Sequence, residues 1–170
     1  MTTLPQSLLP MTSSVGSSGN LCIGGVDTLA LAETYGTPLF VYDEAHIRAR
    51  CREAVRAFGP GVAYASKAFL CKTMARLVAD EGMHIDVASG GEMHVALAAG
   101  VPASRLVLHG NNKSRHELRV AMEQGVHRIV VDSFDELDRI ESLVAEGLHA
   151  PAVLLRITPG VEAHTHEFIQ

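Results

Sequence analysis

Four short apolar runs recur along the chain at a single interval. Val62-Ala63-Tyr64-Ala65, His84-Ile85-Asp86-Val87, Leu106-Val107-Leu108 and Arg128-Ile129-Val130-Val131 have equivalent centres at residues 63, 85, 107 and 129, each 22 residues after the last. A fifth run covers residues 152–157, after a slightly longer gap. Each gap holds a helical pattern, such as Leu70, Met74, Leu77 and Val78. Strands that alternate with single helices at this pitch need right-handed crossovers, which gives a parallel sheet. That sheet is either a (β/α)8 barrel or an open doubly wound sheet, and the residues beyond 60 do not by themselves separate the two.

The strand-to-helix turns are marked by a second regularity. Ser89-x-x-Glu92, Ser114-x-x-Glu117 and Ser133-x-x-Glu136 each match the capping box that opens a helix. These turns lie at the C-terminal edge of the parallel strands, where barrels and open α/β sheets both place their ligands and where helix N-termini favour anions. Residues expected on that edge include Lys67, Asp86, His109, Asn111, Asn112, Lys113, Asp132 and Arg156.

Upstream, residues 1–20 carry Ser13, Ser14, Gly16, Ser17, Ser18 and Gly19 with little periodicity and are expected to be a flexible leader, with order beginning near Leu21. Residues 21–60 form a strand and helix segment. A short helix is expected over 26–35, ended by Gly36, followed by a strand Leu39-Phe40-Val41-Tyr42. Asp43 can cap the next helix, in which Ile47, Cys51, Ala54, Val55 and Phe58 make one apolar stripe that stops at Gly59-Pro60. Residues 61–170 hold the repeating strand and helix units.

Composition narrows the function. With 47% apolar and 19% charged residues, 170 residues suit about one soluble domain. A net charge of -5 with scattered Lys and Arg offers no footprint for nucleic acid or anionic lipid. No run approaches the ~18 apolar residues of a membrane span, and the first Lys or Arg is Arg48, so neither a membrane location nor export is expected and the reading is cytoplasmic. Cys22, Cys51 and Cys71 form no CxxC pair and read as reduced thiols, mostly packing residues.

A lysine after an apolar strand is ordinarily a solvated charge. Lys67 sits between Tyr64-Ala65 and Ala68-Phe69 at a strand's C-terminal end, where partial desolvation would free its amine to attack an aldehyde. The segment Tyr64-Ala65-Ser66-Lys67-Ala68-Phe69 resembles the cofactor-attachment signature of the fold-type III pyridoxal-phosphate decarboxylases acting on ornithine, arginine and diaminopimelate. Five more segments resemble the diaminopimelate-type members in the same order. They are Gly24-Gly25-Val26-Asp27, Tyr35-Gly36-Thr37-Pro38-Leu39-Phe40-Val41-Tyr42-Asp43, Asp86-Val87-Ala88-Ser89-Gly90-Gly91-Glu92, His109-Gly110-Asn111-Asn112-Lys113-Ser114 and Arg156-Ile157-Thr158-Pro159-Gly160-Val161. The resemblance runs from about Leu21 to Gln170.

The resemblance implies an α/β fold: a partial (β/α)8 TIM barrel of about five strands, with Leu39 to Tyr42 and Leu21 to Ile23 joining a β-domain formed mostly by a C-terminal half. It implies Lys67 as the catalytic residue that holds pyridoxal 5'-phosphate, with Asp86 and Arg156 as further cofactor-binding residues. It also places Glu92 near the pocket, although helix capping is sufficient explanation for that residue, and for Arg156 a structural ion pair is the competing role. No separate role is assigned within residues 109–113. His164, His166 and Glu167 invite a metal reading, but no ligand beyond this run is evident, and no metal is expected.

The expected reaction is decarboxylation of a small-molecule amino acid, meso-diaminopimelate to L-lysine and carbon dioxide, the last step of lysine biosynthesis, by a full-length homodimer. The alternatives are a noncatalytic pyridoxal-phosphate-binding barrel, an amino-acid racemase, or an ornithine or arginine decarboxylase. Because a full barrel commonly takes ~250 residues, three strands and most of the remaining machinery would lie beyond Gln170. The chain is therefore expected to be a fragment with little or no decarboxylase activity.

Overall fold

A computed structural model of the chain describes residues 5–160. The chain divides into two compact units. One is built from the residues up to Val62 together with Asp80–Met83, and the other from Ala63–Ala79 and from His84 onward.

In the first unit, strands β1 (Ser14–Val15), β2 (Leu21–Ile23) and β3 (Val26–Asp27) pair antiparallel in that order. The β2–β3 hairpin turns on Gly24 and Gly25, with φ of 59° and 79°. Positive φ at both central residues is what a two-residue turn matched to the strand twist requires, and glycine supplies it without strain. Pairing thus begins before the expected Leu21, because β1 lies on β2 with Val15 opposite Leu21. Helix α1 (Thr28–Tyr35) starts at Asp27, whose carboxylate accepts from the Leu29 N–H at 2.8 Å. Helix α2 (Glu44–Phe58) starts at Asp43, which accepts from the His46 N–H at 3.1 Å and from the Thr12 hydroxyl.

Two segments depart from the pattern of their sequence. Residues 39–42 form no strand among the described residues, and Phe40 is 85% exposed. A strand exists only through a hydrogen-bonded neighbour, and no described strand pairs with this extended apolar segment. Phe58, placed on the apolar stripe of α2, is exposed at the helix end, while Cys51 is buried and Ile47, Ala54 and Val55 are half-buried. Burial pushes the Cys51 thiol up from its ordinary value.

The second unit is one five-stranded parallel sheet in chain order: β4 (Ala63–Ala65), β5 (His84–Val87), β6 (Leu106–Leu108), β7 (Arg128–Val131) and β8 (Val153–Leu155). Helices α3 (Lys72–Asp80), α4 (Gly90–Ala98), α5 (Arg115–Gln124) and α6 (Phe134–Ala145) alternate with these strands. One sheet face is dry. Ile85, Val87, Leu106, Leu108 and Ile129 are fully buried there, and the helices contribute Val78, Ala96, Leu118, Ala121 and Leu143 to the same core. Each such Leu, Ile or Val stabilises by about 1.5–3 kcal/mol relative to exposure. The alternate residues Asp86, Val107 and Val130 point to the other face and are only half-buried.

The register refines the 22-residue spacing. Ala63 pairs with His84, Ile85 with Leu106 and Val107 with Arg128, an offset of 21 in each case. Positions 22 apart therefore slip by one residue per strand and alternate faces: Ile85 and Ile129 are buried, whereas Val107 lies on the opposite face. A slip of about one residue per strand is the stagger that closes eight strands into a barrel, whose layers draw side chains from alternate strands.

Candidate active site at the C-terminal sheet edge

Each parallel strand ends in a turn that carries a polar side chain. After β4 the chain makes a 3-10 turn, Ser66–Ala68, with Lys67 at its centre. The Tyr64 hydroxyl donates to the Phe69 carbonyl at 2.7 Å, closing a bond around that turn from one side to the other. Ser66 is 1% exposed, and its Oγ has no hydrogen-bond partner among the described residues. Lys67 itself is exposed, so the partial desolvation expected from its apolar neighbours is absent. Those neighbours do not cover it: Ala65, Ala68 and Phe69 are exposed as well.

Asp86 is the register partner of Ala65, two residues before Lys67. Its Oδ2 lies 3.2 Å from His109 Nδ1, and the His109 N–H extends the sheet by donating to the Val87 carbonyl at 2.8 Å. Asp132, after β7, accepts from Arg156 Nη1 at 2.9 Å, and the Arg156 N–H donates to the Val131 carbonyl at 2.9 Å. The structure thus brings the predicted site residues into two pairs, Asp86 with His109 and Asp132 with Arg156. Arg156 is ion-paired with Asp132, and its side chain remains 54% exposed.

Glutamates at the helix starts hold these turns. Ser89, Ser114 and Ser133 each accept the backbone N–H of the glutamate three residues on, at 3.3, 3.2 and 3.3 Å. Only Ser114 and Glu117 form the reciprocal box. Glu92 and Glu136 reach one residue further back, to the Ala88 N–H at 2.6 Å and the Asp132 N–H at 2.8 Å. Glu117 also accepts from the Gly90 N–H at 2.7 Å, joining the start of α5 to the start of α4. These backbone bonds, Gly90 first and then Ser114, hold the Glu117 carboxyl below the usual carboxylate range. Glu92 acts as a cap, as its position suggested.

Lys113, expected on this edge without a role of its own, is buried. Its side chain is 1% exposed, with Nζ 2.8 Å from Glu136 Oε1. The only sequence hint is the Glu of the third capping box, because Asn111-Asn112-Lys113 reads as an ordinary exposed turn. The chain has three lysines: 67, 72 and 113. The Lys113 amine is enclosed by its partners, and Lys72 is the first residue of α3. Lys67 is the lysine on a turn that directly follows a parallel strand.

His164, His166 and Glu167 lie outside the described residues. Among the described residues no group of three His, Cys, Asp or Glu side chains could hold a metal ion, and no helix is long and apolar enough to cross a membrane.

Residues 44–170 match the family model described as the pyridoxal binding domain of pyridoxal-dependent decarboxylases. The diaminopimelate decarboxylase of Bacillus subtilis is 55% identical over 163 residues, which are 93% of this chain and 37% of that protein. The Mycobacterium tuberculosis diaminopimelate decarboxylase is 49% identical over 168 residues, 98% of this chain and 38% of that protein. Among solved structures, the diaminopimelate decarboxylase of M. jannaschii in complex with L-lysine superposes with a TM-score of 0.80 at 33% identity, covering 90% of this chain and 37% of that one. The Helicobacter pylori enzyme in complex with L-lysine gives 0.72 at 30% identity, over 84% and 37%. The chain thus spans somewhat over a third of the length of these relatives, and its five strands are part of a (β/α)8 barrel. The chain belongs to the pyridoxal-dependent decarboxylases, and its residues 44–170 are part of their pyridoxal binding domain.

Proposed function

We propose that Lys67 holds pyridoxal 5'-phosphate through its ε-amine, and that the whole protein of which this chain is part converts meso-diaminopimelate to L-lysine and carbon dioxide. The observation that carries this reading is one exposed primary amine on a closed turn at the ligand-binding edge of a parallel sheet, with Asp86–His109 and Asp132–Arg156 ending neighbouring strands. The donor set suits the cofactor. An accessible amine can condense with an aldehyde, a carboxylate can face a cationic ring, and a guanidinium can hold an anionic group.

When bound, the cofactor accepts the electron pair left on Cα as the carboxylate departs as carbon dioxide, and Cα then takes up a proton. The residues of this chain bind and orient. Tyr64 fixes the turn that presents Lys67. His109 fixes the Asp86 carboxylate, which would help to hold the cofactor. Asp132 orients Arg156 toward an anionic group of the cofactor or the substrate. Preorganisation of this kind lowers the barrier by removing reorientation from the reacting step.

Homodimeric assembly and a cytoplasmic location belong to the same reading. The test is an assay of the whole protein with meso-diaminopimelate, L-ornithine and L-arginine. Equimolar L-lysine and carbon dioxide from the first, with little turnover of the others, is expected. Loss of chirality without carbon dioxide would replace this reading with a racemase. The isolated 170-residue chain should release little or no carbon dioxide, because β4 and β8 each have only one neighbouring strand among the described residues.

A further inference from the structure

Lys113 is a buried cation that the reaction does not use. An ammonium in the interior is tolerated only when its charge is paired and its N–H groups find acceptors. Three oxygens surround it, and they come from three different segments. Glu136 Oε1, in the first turn of α6, lies at 2.8 Å as an ion-pair contact outside hydrogen-bond geometry. The Val130 carbonyl, in β7, accepts at 2.8 Å, and the Gly110 carbonyl, in the turn after β6, accepts as well. The other oxygen of Glu136 accepts from the Asp132 N–H at 2.8 Å. One ion pair therefore ties together the turn that carries His109 and the turn that carries Asp132.

The first of these turns has little freedom on its other side. Gly110 has φ of 100°, and a Cβ there would sit 2.7 Å from the Ala88 carbonyl oxygen. The turn is wedged between the backbone after β5 and the Lys113 amine. His109 immediately precedes Gly110, and its ring meets Asp86. Asp132 is held through its N–H by Glu136 and through its carboxylate by Arg156. Stability alone does not call for an ion pair here, since apolar residues of similar volume commonly serve as well or better in such places. An apolar pair would fill the space but make none of the bonds to Gly110, Val130 and Asp132.

We propose that Lys113 and Glu136 are a positioning pair. They touch neither cofactor nor substrate, and they set the two turns so that His109 faces Asp86 and Asp132 faces Arg156. The role in cofactor binding rests on the reading of this edge as the pyridoxal-phosphate site. The geometric part does not.

The test compares the 170-residue chain with its Lys113→Met/Glu136→Leu double variant, which removes both charges and leaves none orphaned. The first readout needs no cofactor: the 15N chemical shift of His109 Nδ1, with Asp86→Asn as the reference for a broken Asp86–His109 contact. The double variant should move that shift at least halfway to the Asp86→Asn value. The second readout is affinity for pyridoxal phosphate, with the Kd expected to rise roughly tenfold while the Lys67 attachment is retained. An unmoved His109 shift, an Asp86→Asn value equal to that of the unsubstituted chain, or an unchanged Kd would each overturn the proposal. If the double variant does not fold, the same two readouts on Lys113→Met/Glu136→Gln, which removes the ammonium but keeps an acceptor for the Asp132 N–H, decide it with the same outcomes. Failure of the unsubstituted chain to bind pyridoxal phosphate would instead count against the functional reading, leaving the His109 comparison to judge the geometry.

Discussion

The three lysines of the chain sit in three different environments, and that difference decides what each can do. Lys67 is exposed on a turn closed by Tyr64, whereas Lys113 is enclosed. Replacing Lys113 alone by Met leaves Glu136 as an uncompensated charge 5% exposed, so unfolding free energy should fall by about 3–5 kcal/mol in urea titrations. Gly110→Ala should cost about 1–3 kcal/mol by the same measurement, because its φ and the 2.7 Å approach to Ala88 both exclude a side chain. At this scale the sequence was partly legible. A lysine after an apolar run can be placed on a strand end from pattern alone, and so can Asp86 and Arg156. The exposure of Lys67 and the burial of Lys113 could not be read, since both depend on what the rest of the sheet brings against them.

Helix starts show how far local pattern reaches. The three Ser-x-x-Glu motifs located three N-termini correctly, because a cap is a contact among residues within one turn. Ser114→Ala should cost about 1 kcal/mol in chemical denaturation. The reach of Glu117 across to Gly90 was not legible, because it spans 27 residues. It has a consequence for acid stability. The Glu117 carboxyl is depressed in the folded chain, so its contribution is present above the unfolded value of about 4.3 and is lost as pH falls through the folded value. Glu117→Gln should lower stability near neutral pH and flatten the acid limb of a stability profile below about pH 4.3. Residues 39–42 mark the opposite limit: a strand-like composition forms a strand only when a partner strand is present.

Across the sheet from β4 to β7, the repeat in the sequence and the register in the structure differ by one residue per strand, a slip of the size that barrel stagger requires. Periodicity alone could not show it, because the register is a property of paired strands. The side chains of β8 are exposed, with Leu155 66% and Ile157 just beyond it 80% accessible. An apolar edge of this kind recruits other chains. The isolated 170-residue chain should self-associate with rising concentration in light scattering, and Leu155→Lys should reduce that association without lowering the melting temperature.

The claim on which the functional account stands is that Lys67 is the cofactor lysine. It is tested most directly by incubating the chain with pyridoxal phosphate, reducing with borohydride and locating the modified lysine by peptide mass spectrometry. The label is expected on the peptide containing Lys67 and is expected to be lost in Lys67→Ala. A label carried instead by Lys72 or Lys113, or undiminished in Lys67→Ala, would contradict it.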